Sequence, residues 1–175
     1  MSRAPLFTIE ALASADDRSA FACGVSALDR YFREQVTQDV RRRVGNCFVA
    51  VEAATSAIAG FYTLAATSLL LTSIPDDQAR RLPRYPSVPA ALLARLAVAT
   101  SFQGNKLGGI LLADAIDRVA RGDLGAFALV VDAKDANARR FYEHHGFVAI
   151  KDEPMRLLLP IATALKAGLG KPASK

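Results

Sequence analysis

The 175-residue chain has no tryptophan, two cysteines and two histidines. Cys23 and Cys47 are too few for a disulfide framework and lack the paired spacing of a zinc site, so we expect reduced thiols and no metal. No apolar stretch approaches the roughly 20 residues of a membrane span. The N-terminus also lacks the apolar core and small-residue cleavage site of a signal peptide. These absences favour a cytoplasmic protein without membrane association.

The chain does contain a large apolar fraction and a basic charge. Hydrophobic residues make up 51% of it, which excludes a disordered protein, and the net charge is +5. The charge is concentrated in two arginine clusters, which are Arg41, Arg42 and Arg43, and Arg80, Arg81 and Arg84. Such clusters either solubilise a surface or form an electrostatic footprint for a polyanion. Composition leaves both interpretations open.

Hydrophobic periodicity predicts the elements of the first half of the chain. It indicates a strand at Leu6–Leu12, a helix with Ser26 as its N-cap, and two strands that form a hairpin around Ala53–Ser56. The proline-rich segment Thr72–Pro89 is predicted to be a loop with one helical turn at Asp76–Arg81.

The second half is predicted to alternate between strands and helices. Strands are expected at 91–99, 126–133, 147–150 and 155–160, with a helix capped by Asp135 and closed by Gly146. Another helix, at 108–121, is expected to be amphipathic. Its inward residues are Leu112, Ile116 and Val119, and its outward residues are Asp114, Asp117 and Arg121. The order predicts an α/β fold with a mixed α+β sheet in one domain, 1–162, followed by a flexible tail, 163–175.

The segment FQGNKLGG, residues 102–109, lies between a predicted strand and a predicted helix. The first amides of a helix have no intrahelical acceptor and carry partial positive charge, and glycines let the backbone approach a ligand. These are the physical requirements of a pyrophosphate site. The segment matches neither the nucleotide-triphosphatase motif nor the dinucleotide motif, and a simple tight turn remains the alternative.

The surrounding sequence, RLAVATSFQGNKLGGILLADAIDR, resembles the acetyl-coenzyme A signature of GNAT acetyltransferases, Q/R-x-x-G-x-G/A. Gln103 and Gly108 match its ends, and Lys106 takes the place of its first glycine. NARRFYEHHGF is similar to the family's second coenzyme A element. Together with FACGVSALDRYFREQVTQD, GFYTLAA and EPMRLLLP, these motifs make the chain from Phe21 to Pro160 resemble the toxins of GNAT toxin–antitoxin pairs.

The resemblance implies a single GNAT acyltransferase domain that uses acetyl-coenzyme A as cofactor. It further implies an N-acetyltransferase that acetylates the free amine of aminoacyl-tRNA, blocks translation, dimerises, and is neutralised by a ribbon-helix-helix antitoxin. Two alternatives remain open. One is an acetyltransferase of a small amine or a protein N-terminus, and the other is a non-catalytic module that binds coenzyme A or an antitoxin.

The resemblance also implies the site residues. Tyr142 is expected to be the general acid, with a core aromatic as its alternative, and Asn137 either caps a helix or bonds to the pantetheine arm. The expected cofactor-binding residues are Leu96, Ala97, Val98, Gln103, Gly104, Asn105, Lys106, Leu107, Gly108, Gly109, Asn137 and Phe141. The expected tRNA-binding residues are Arg41, Arg42, Arg43, Arg80, Arg81, Arg84 and Arg95.

The chemistry of acetyl transfer to an α-amine is compatible with these residues. Such an amine titrates near pH 8, so much of it is neutral at pH 7 and a strong general base is dispensable. A backbone amide around Ala97–Ala99 is the expected oxyanion donor. Lys106 is expected to cost about 1 kcal/mol if its backbone is left-handed and nothing if it is in the ordinary α region. Arg95, inside an apolar strand pattern, points either to a partner carboxylate or to substrate phosphates.

Overall fold

The fold is taken from a computed structural model that describes residues 6–170. Its strands form one seven-stranded sheet in the order β1-β2-β3-β4-β5-β7-β6. The strands are β1 (Phe7–Ala11), β2 (Asn46–Glu52), β3 (Ile58–Leu70), β4 (Ser87–Val98), β5 (Ala128–Asp132), β6 (Val148–Ile150) and β7 (Glu153–Pro160). β4 and β5 are parallel, whereas β1–β2, β2–β3, β5–β7 and β6–β7 are antiparallel. The predicted mixed α/β architecture is therefore confirmed.

Helices connect these strands. They are α1 (Ser26–Arg30), α2 (Val36–Arg41), α3 (Asp76–Ala79), α4 (Leu107–Arg121), α5 (Ala136–His144) and α6 (Ile161–Lys166). A π-helical segment, Tyr31–Gln35, joins α1 to α2, and short 3-10 turns lie at Leu71–Ser73 and Thr100–Phe102. No helix within residues 6–170 combines the length and apolar character needed to cross a bilayer.

The described chain divides into two compact units. Residues 6–65 and 94–115 form the first, and residues 66–93 and 116–170 form the second. The first unit has an aromatic core in which Phe32 stacks on Phe61 with ring centroids 4.2 Å apart and meets Phe21 edge-on. The second unit has an aliphatic core that includes Ile74 and Val130. Each unit thus buries its own apolar cluster, and hydrophobic burial is the main stabilising term for both.

The first helix begins one residue away from its predicted cap. Val25 is the N-cap, and its apolar side chain makes no capping hydrogen bond. Ser26 is the first helical residue, so the prediction of a Ser26 cap is wrong. Asp29 reaches back instead, and its carboxylate accepts a hydrogen bond of 2.8 Å from the Cys23 amide. The start of the helix is therefore stabilised by a side chain of the helix itself rather than by a capping residue.

β4 extends further than its sequence pattern predicts. It begins at Ser87, and Pro89 lies within it rather than in the predicted loop. Only Ala90–Leu93 pairs with β5, so the last residues of β4 continue without that neighbour. β4 ends where the 3-10 turn and the segment 103–106 lead into α4.

Gly60 on β3 allows α4 to begin close to the sheet. A Cβ at this position would lie 2.9 Å from the Ala97 carbonyl oxygen and 3.0 Å from a methyl group of Leu111. Leu107 and Leu111 are fully buried at the same place. The absent side chain thus sets the distance between the helix start and the strands beneath it.

The C-terminal helices agree with the sequence-based predictions only in part. Asp135 caps α5 as predicted, accepting a 2.8 Å hydrogen bond from the Ala138 amide, and Gly146 follows its end with a φ of +94°. α6, which is not predicted, buries Ile161 and Ala164. The predicted tail, 163–175, therefore begins within a helix, and its residues 171–175 lie outside the described range.

Candidate functional site

The segment 104–109 presents a continuous run of backbone donors. No amide from Gly104 to Gly109 donates a hydrogen bond to any acceptor within the described residues. The run ends in the first turn of α4, which contains no acidic residue. A helix start with open amides and no competing carboxylate binds an anion through its N–H groups and its dipole. The segment therefore fits the phosphate groups of a nucleotide-like cofactor.

Gln103 fastens this segment to the rest of the first unit. Its side-chain nitrogen donates to the Cys23 carbonyl at 3.0 Å and to the Val98 carbonyl at 3.1 Å. Both amide protons are thus engaged internally. Its role in cofactor binding stays a prediction, and the structure gives its side chain a positioning role for the loop that follows.

Lys106 adopts the left-handed conformation that its motif position demands. Its φ is +58°, and Gly104 has a φ of +85°. Of the two conformations considered from the sequence, the costlier one is therefore present, at about 1 kcal/mol for a residue with a Cβ. The strained backbone turns the chain into α4 and leaves the exposed lysine side chain beside the open amides.

The amides at the end of β4 are not equivalent. Ala99 donates a 2.8 Å hydrogen bond to the Ala59 carbonyl on β3, so it is not the open donor considered from the sequence. Because amides along a strand alternate between its two edges, Ala97 shares that direction. By the same alternation, Leu96 and Val98 are expected to direct their amides to the opposite edge. Within the range named from the sequence, Val98 therefore stays the predicted oxyanion donor.

Tyr142 lies in α5 within an aromatic cluster. Its ring packs edge-on against Phe141 and Phe147, at centroid distances of 5.1 and 5.3 Å. Burial raises its pKa to about 12, and its hydroxyl makes no hydrogen bond to the described residues. The side chain is thus a packed ring that carries a protonated, uncommitted O–H group. The two roles weighed from the sequence, core aromatic and proton donor, are compatible.

The other predicted residues of α5 have local partners. Asn137 is exposed and does not cap the helix, since Asp135 does, and its side-chain oxygen accepts a hydrogen bond from Arg140. Phe141 packs against the His145 ring with centroids 4.6 Å apart. The Phe141 carbonyl accepts a 2.8 Å hydrogen bond from His145 Nδ1, which fixes that ring at the helix end.

Both arginine clusters are on the surface. One begins at the last residue of α2 and belongs to the first unit, and the other follows α3 and belongs to the second. All of their side chains are exposed, and none forms an ion pair within residues 6–170. Unpaired guanidinium groups remain available to phosphates.

Arg95 is separate from these clusters and has no carboxylate partner. Its guanidinium carbon lies 3.5 Å from the centroid of the Tyr31 ring, and the Tyr31 hydroxyl donates a 2.9 Å hydrogen bond to Asp39. Burial raises the pKa of Tyr31 above its ordinary value, so the ring stays neutral. Sequence periodicity marks Tyr31 only as a helical aromatic and does not pair it with Arg95.

Asp114 also differs from its expectation. It was expected on the outward face of α4, yet it is partly buried and accepts a hydrogen bond from the Tyr62 hydroxyl on β3. Tyr62 is fully buried, and this bond supplies the partner that a buried phenol needs. The outward assignment was wrong because a residue more than 50 positions away determines the environment of the carboxylate.

Comparison with known proteins identifies the family. Residues 86–157 match the acetyltransferase (GNAT) domain. The tRNA-acetylating toxin of Mycobacterium tuberculosis is 35% identical over 150 residues, which are 85% of this chain and 88% of the relative. The chain belongs to the GNAT acetyltransferases. It is an N-acetyltransferase by membership of that family.

Solved structures of related toxins share the fold of this acetyltransferase. AtaT complexed with acetyl-methionyl-tRNAfMet matches with a TM-score of 0.85 at 25% identity, covering 93% of this chain and 99% of that chain. A tyrosine-to-phenylalanine mutant of AtaT, bound to the C-terminus of the antitoxin AtaR and to acetyl-CoA, matches with a TM-score of 0.76 at 25% identity. The match again covers 93% and 99% of the two chains.

Proposed function

We propose that this acetyltransferase transfers the acetyl group of acetyl-coenzyme A to the free amine of aminoacyl-tRNA and thereby blocks translation. The observation that carries the proposal is the run of open amides at 104–109, which suits the phosphates of coenzyme A. The acceptor is inferred from the relative named a tRNA-acetylating toxin and from the AtaT complex with an acetylated aminoacyl-tRNA.

The first unit supplies the residues that would hold coenzyme A. The amides of 104–109 would bind its phosphate groups, and the Leu96 amide on β4 would donate to its pantetheine arm. Lys106 adds a cation beside the phosphates. When bound, coenzyme A supplies the acetyl group as a thioester.

The chain's own residues handle the charge and the proton of the transfer. The Val98 amide donates a hydrogen bond to the thioester oxygen as that oxygen gains negative charge. The Tyr142 hydroxyl holds the proton that the departing thiolate requires. An α-amine acceptor is largely neutral near pH 7, so no carboxylate or histidine is needed as a strong base.

Binding of the RNA acceptor depends on positive charge at the surface. The exposed clusters at Arg41–Arg43 and Arg80–Arg84 are unpaired within the described residues and suit backbone phosphates of an RNA. Contacts of this kind position a nucleic acid without reading its sequence. Selection of a particular aminoacyl group therefore requires other contacts.

The partners are proposed from the resemblance to GNAT toxins. We propose that the enzyme dimerises and that a ribbon-helix-helix antitoxin neutralises it. The binding of AtaT to the C-terminus of its antitoxin AtaR supports the existence of an antitoxin partner. Co-expression with the product of a neighbouring short reading frame should yield a complex and relieve growth inhibition. A complex that leaves acetylation unchanged would contradict neutralisation.

The function is tested with charged and uncharged tRNA. Purified enzyme is incubated with acetyl-labelled coenzyme A and a pool of aminoacylated tRNA, and label on the amino acid is measured after mild alkaline release. We expect label only with charged tRNA. Fast acetylation of a small amine or a peptide N-terminus, with none of any aminoacyl-tRNA, would overturn the proposal in favour of the small-acceptor alternative.

A further inference from the structure

The charged side chain of Arg95 lies in an unusual environment. It is partly buried on β4, yet its guanidinium has no hydrogen bond and no ion pair with any residue from 6 to 170. The guanidinium stacks on the Tyr31 ring, whose centroid lies 3.5 Å from the guanidinium carbon. Burying part of a charged side chain without an anion is unfavourable. The arrangement is therefore that of a cation that lacks its counter-charge.

Tyr31 is itself held in place. It is 6% exposed, and its hydroxyl donates to Asp39 at 2.9 Å. It is the first residue of the π-helical segment Tyr31–Gln35, and π-turns within helices are rare and frequently occur at functional sites. Both ends of the ring are thus fixed, and the face on which Arg95 lies cannot rotate freely.

The neighbouring strand does not satisfy Arg95 either. β3 lies next to β4 in the sheet, and the hydroxyl of Thr63 on β3 is buried without any hydrogen-bond partner. The guanidinium donors therefore have no hydrogen-bond acceptor among residues 6–170.

We propose that Tyr31, braced by Asp39, is a positioning residue that holds the Arg95 guanidinium as a preformed ligand for one phosphodiester phosphate of the acceptor RNA. The inference rests on the proposed function. A stacked guanidinium has a fixed planar array of donors that matches two phosphate oxygens, and less conformational freedom is lost when it binds. This contact is distinct from the exposed arginine clusters because it is rigid before the RNA arrives.

The test compares RNA binding with RNA acetylation in the full-length enzyme. Arg95→Gln should weaken binding of deacylated tRNA about tenfold or more and reduce the magnitude of the logarithmic salt slope by about 1. The same variant should raise KM for aminoacyl-tRNA and leave KM for acetyl-coenzyme A within twofold. Arg95→Lys should keep the salt slope but still bind more weakly, because it retains the charge without the planar fork.

Tyr31 is tested through its coupling to Arg95. Tyr31→Leu should weaken tRNA binding about threefold to tenfold, whereas Tyr31→Phe keeps the ring but loses the bond to Asp39 and should show a smaller loss, between wild type and Tyr31→Leu. In the Arg95→Gln background, Tyr31→Leu should cause no further loss of tRNA affinity. If Tyr31 had only a structural role, Tyr31→Leu would lower the tRNA affinity in that background too. If Tyr31→Leu does not fold, Tyr31→Met takes its place in the cycle.

Thr63→Val is the matched control. It changes a buried position on the neighbouring strand β3 without touching the charge, and it removes a hydroxyl that has no partner, so both stability and tRNA affinity should be retained. Equal tRNA affinity and salt slope in wild type and Arg95→Gln would overturn the phosphate contact. A selective rise in KM for acetyl-coenzyme A in Arg95→Gln would overturn it too, because the phosphate would then be the cofactor's.

Failure of the contact and failure of the function give different results. If the wild type acetylates aminoacyl-tRNA but Arg95→Gln behaves as wild type, the function stands and the Arg95 contact is wrong. If the wild type acetylates no aminoacyl-tRNA but binds tRNA in an Arg95-dependent way, the contact stands and the proposed reaction is wrong. An absence of both tRNA binding and acetylation overturns the two together.

Discussion

Tyr142 combines two properties that usually conflict in a single side chain. Its ring contributes to an aromatic cluster, and its hydroxyl is protonated and has no partner within the described residues. Tyr142→Phe removes the proton donor and little packing. We therefore expect turnover to fall about 10²–10⁴-fold, while the calorimetric affinity for acetyl-coenzyme A is unchanged. Tyr85→Phe, at an exposed tyrosine, should retain full activity, and a wild-type rate in Tyr142→Phe would exclude it as the acid.

Two variants of Lys106 separate the effect of its backbone conformation on stability from the effect of its charge on cofactor binding. Lys106→Gly and Lys106→Ala both remove the cation, but only glycine relieves the left-handed strain, so the glycine variant should be about 1 kcal/mol more stable than the alanine variant. Both should bind acetyl-coenzyme A within about tenfold of wild type, because the open amides remain. Calorimetry and urea unfolding check the two expectations, and abolished binding in both variants would make the lysine an essential ligand.

At the scale of elements, the start of α4 depends on the missing side chain of Gly60. Gly60→Ala would bring a Cβ to 2.9 Å from the Ala97 carbonyl oxygen, so the helix or the strand must shift. We expect a loss of about 1–3 kcal/mol in the free energy of unfolding and weaker acetyl-coenzyme A binding. Gly125→Ala is the control, since a Cβ there meets nothing within 4 Å. Equal stability of Gly60→Ala and wild type would show that α4 tolerates the displacement.

The arginines that follow α3 form a second testable element. Replacing Arg80, Arg81 and Arg84 by alanine should raise KM for aminoacyl-tRNA and flatten its salt dependence, because each phosphate contact releases counterions. Binding of acetyl-coenzyme A should be unchanged, and toxicity in a host without antitoxin should be lost. The double variant Arg121→Ala with Lys166→Ala removes positive charge elsewhere and serves as control. Identical KM values and slopes in wild type and the triple variant would exclude the cluster from the RNA interface.

At the scale of the whole molecule, buried neutral acids limit stability at high pH. Burial raises the pKa of Cys47 from 9.0 to about 12 and that of Tyr142 from 10.0 to about 12. Both groups are uncharged when protonated, so their contribution is complete below pH 9 and is lost as pH rises towards 12. Once pH lies between the unfolded and folded values, each group lowers the free energy of unfolding by about 1.4 kcal/mol per pH unit.

Urea unfolding between pH 7 and pH 11 measures this dependence. We expect a constant midpoint up to about pH 8.5 and a steep fall above pH 9. Cys47→Ala should be less stable at neutral pH, because it leaves a small cavity, but its midpoint should fall less steeply above pH 9. Parallel curves for wild type and Cys47→Ala would mean that the thiol does not control the alkaline limit.

The sequence predicted what depends on local patterns. The strand pattern that begins at residue 91 and the Asp135 cap each rest on neighbouring residues, and each is present in the structure, the strand ending at Val98. For Lys106 the sequence left two backbone conformations open, and the left-handed one is present. Features set by distant residues were missed. Asp114 is partly buried because Tyr62 lies opposite it, and Arg95 stacks on a ring from a different element. The helix Ile161–Lys166 is too short for helical periodicity to be recognised, and burial of its apolar residues stabilises it.

Hydrogen exchange at the open amides of 104–109 can also show whether acetyl-coenzyme A is bound. A backbone N–H without an acceptor exchanges its hydrogen with solvent readily, and the same group is protected once a ligand atom accepts its bond. Deuterium uptake along this segment should therefore be fast in the free enzyme and slow when acetyl-coenzyme A is bound, while the buried amides of β5 change little. The measurement needs neither turnover nor a label, so it detects acetyl-coenzyme A binding even in a variant that no longer reacts.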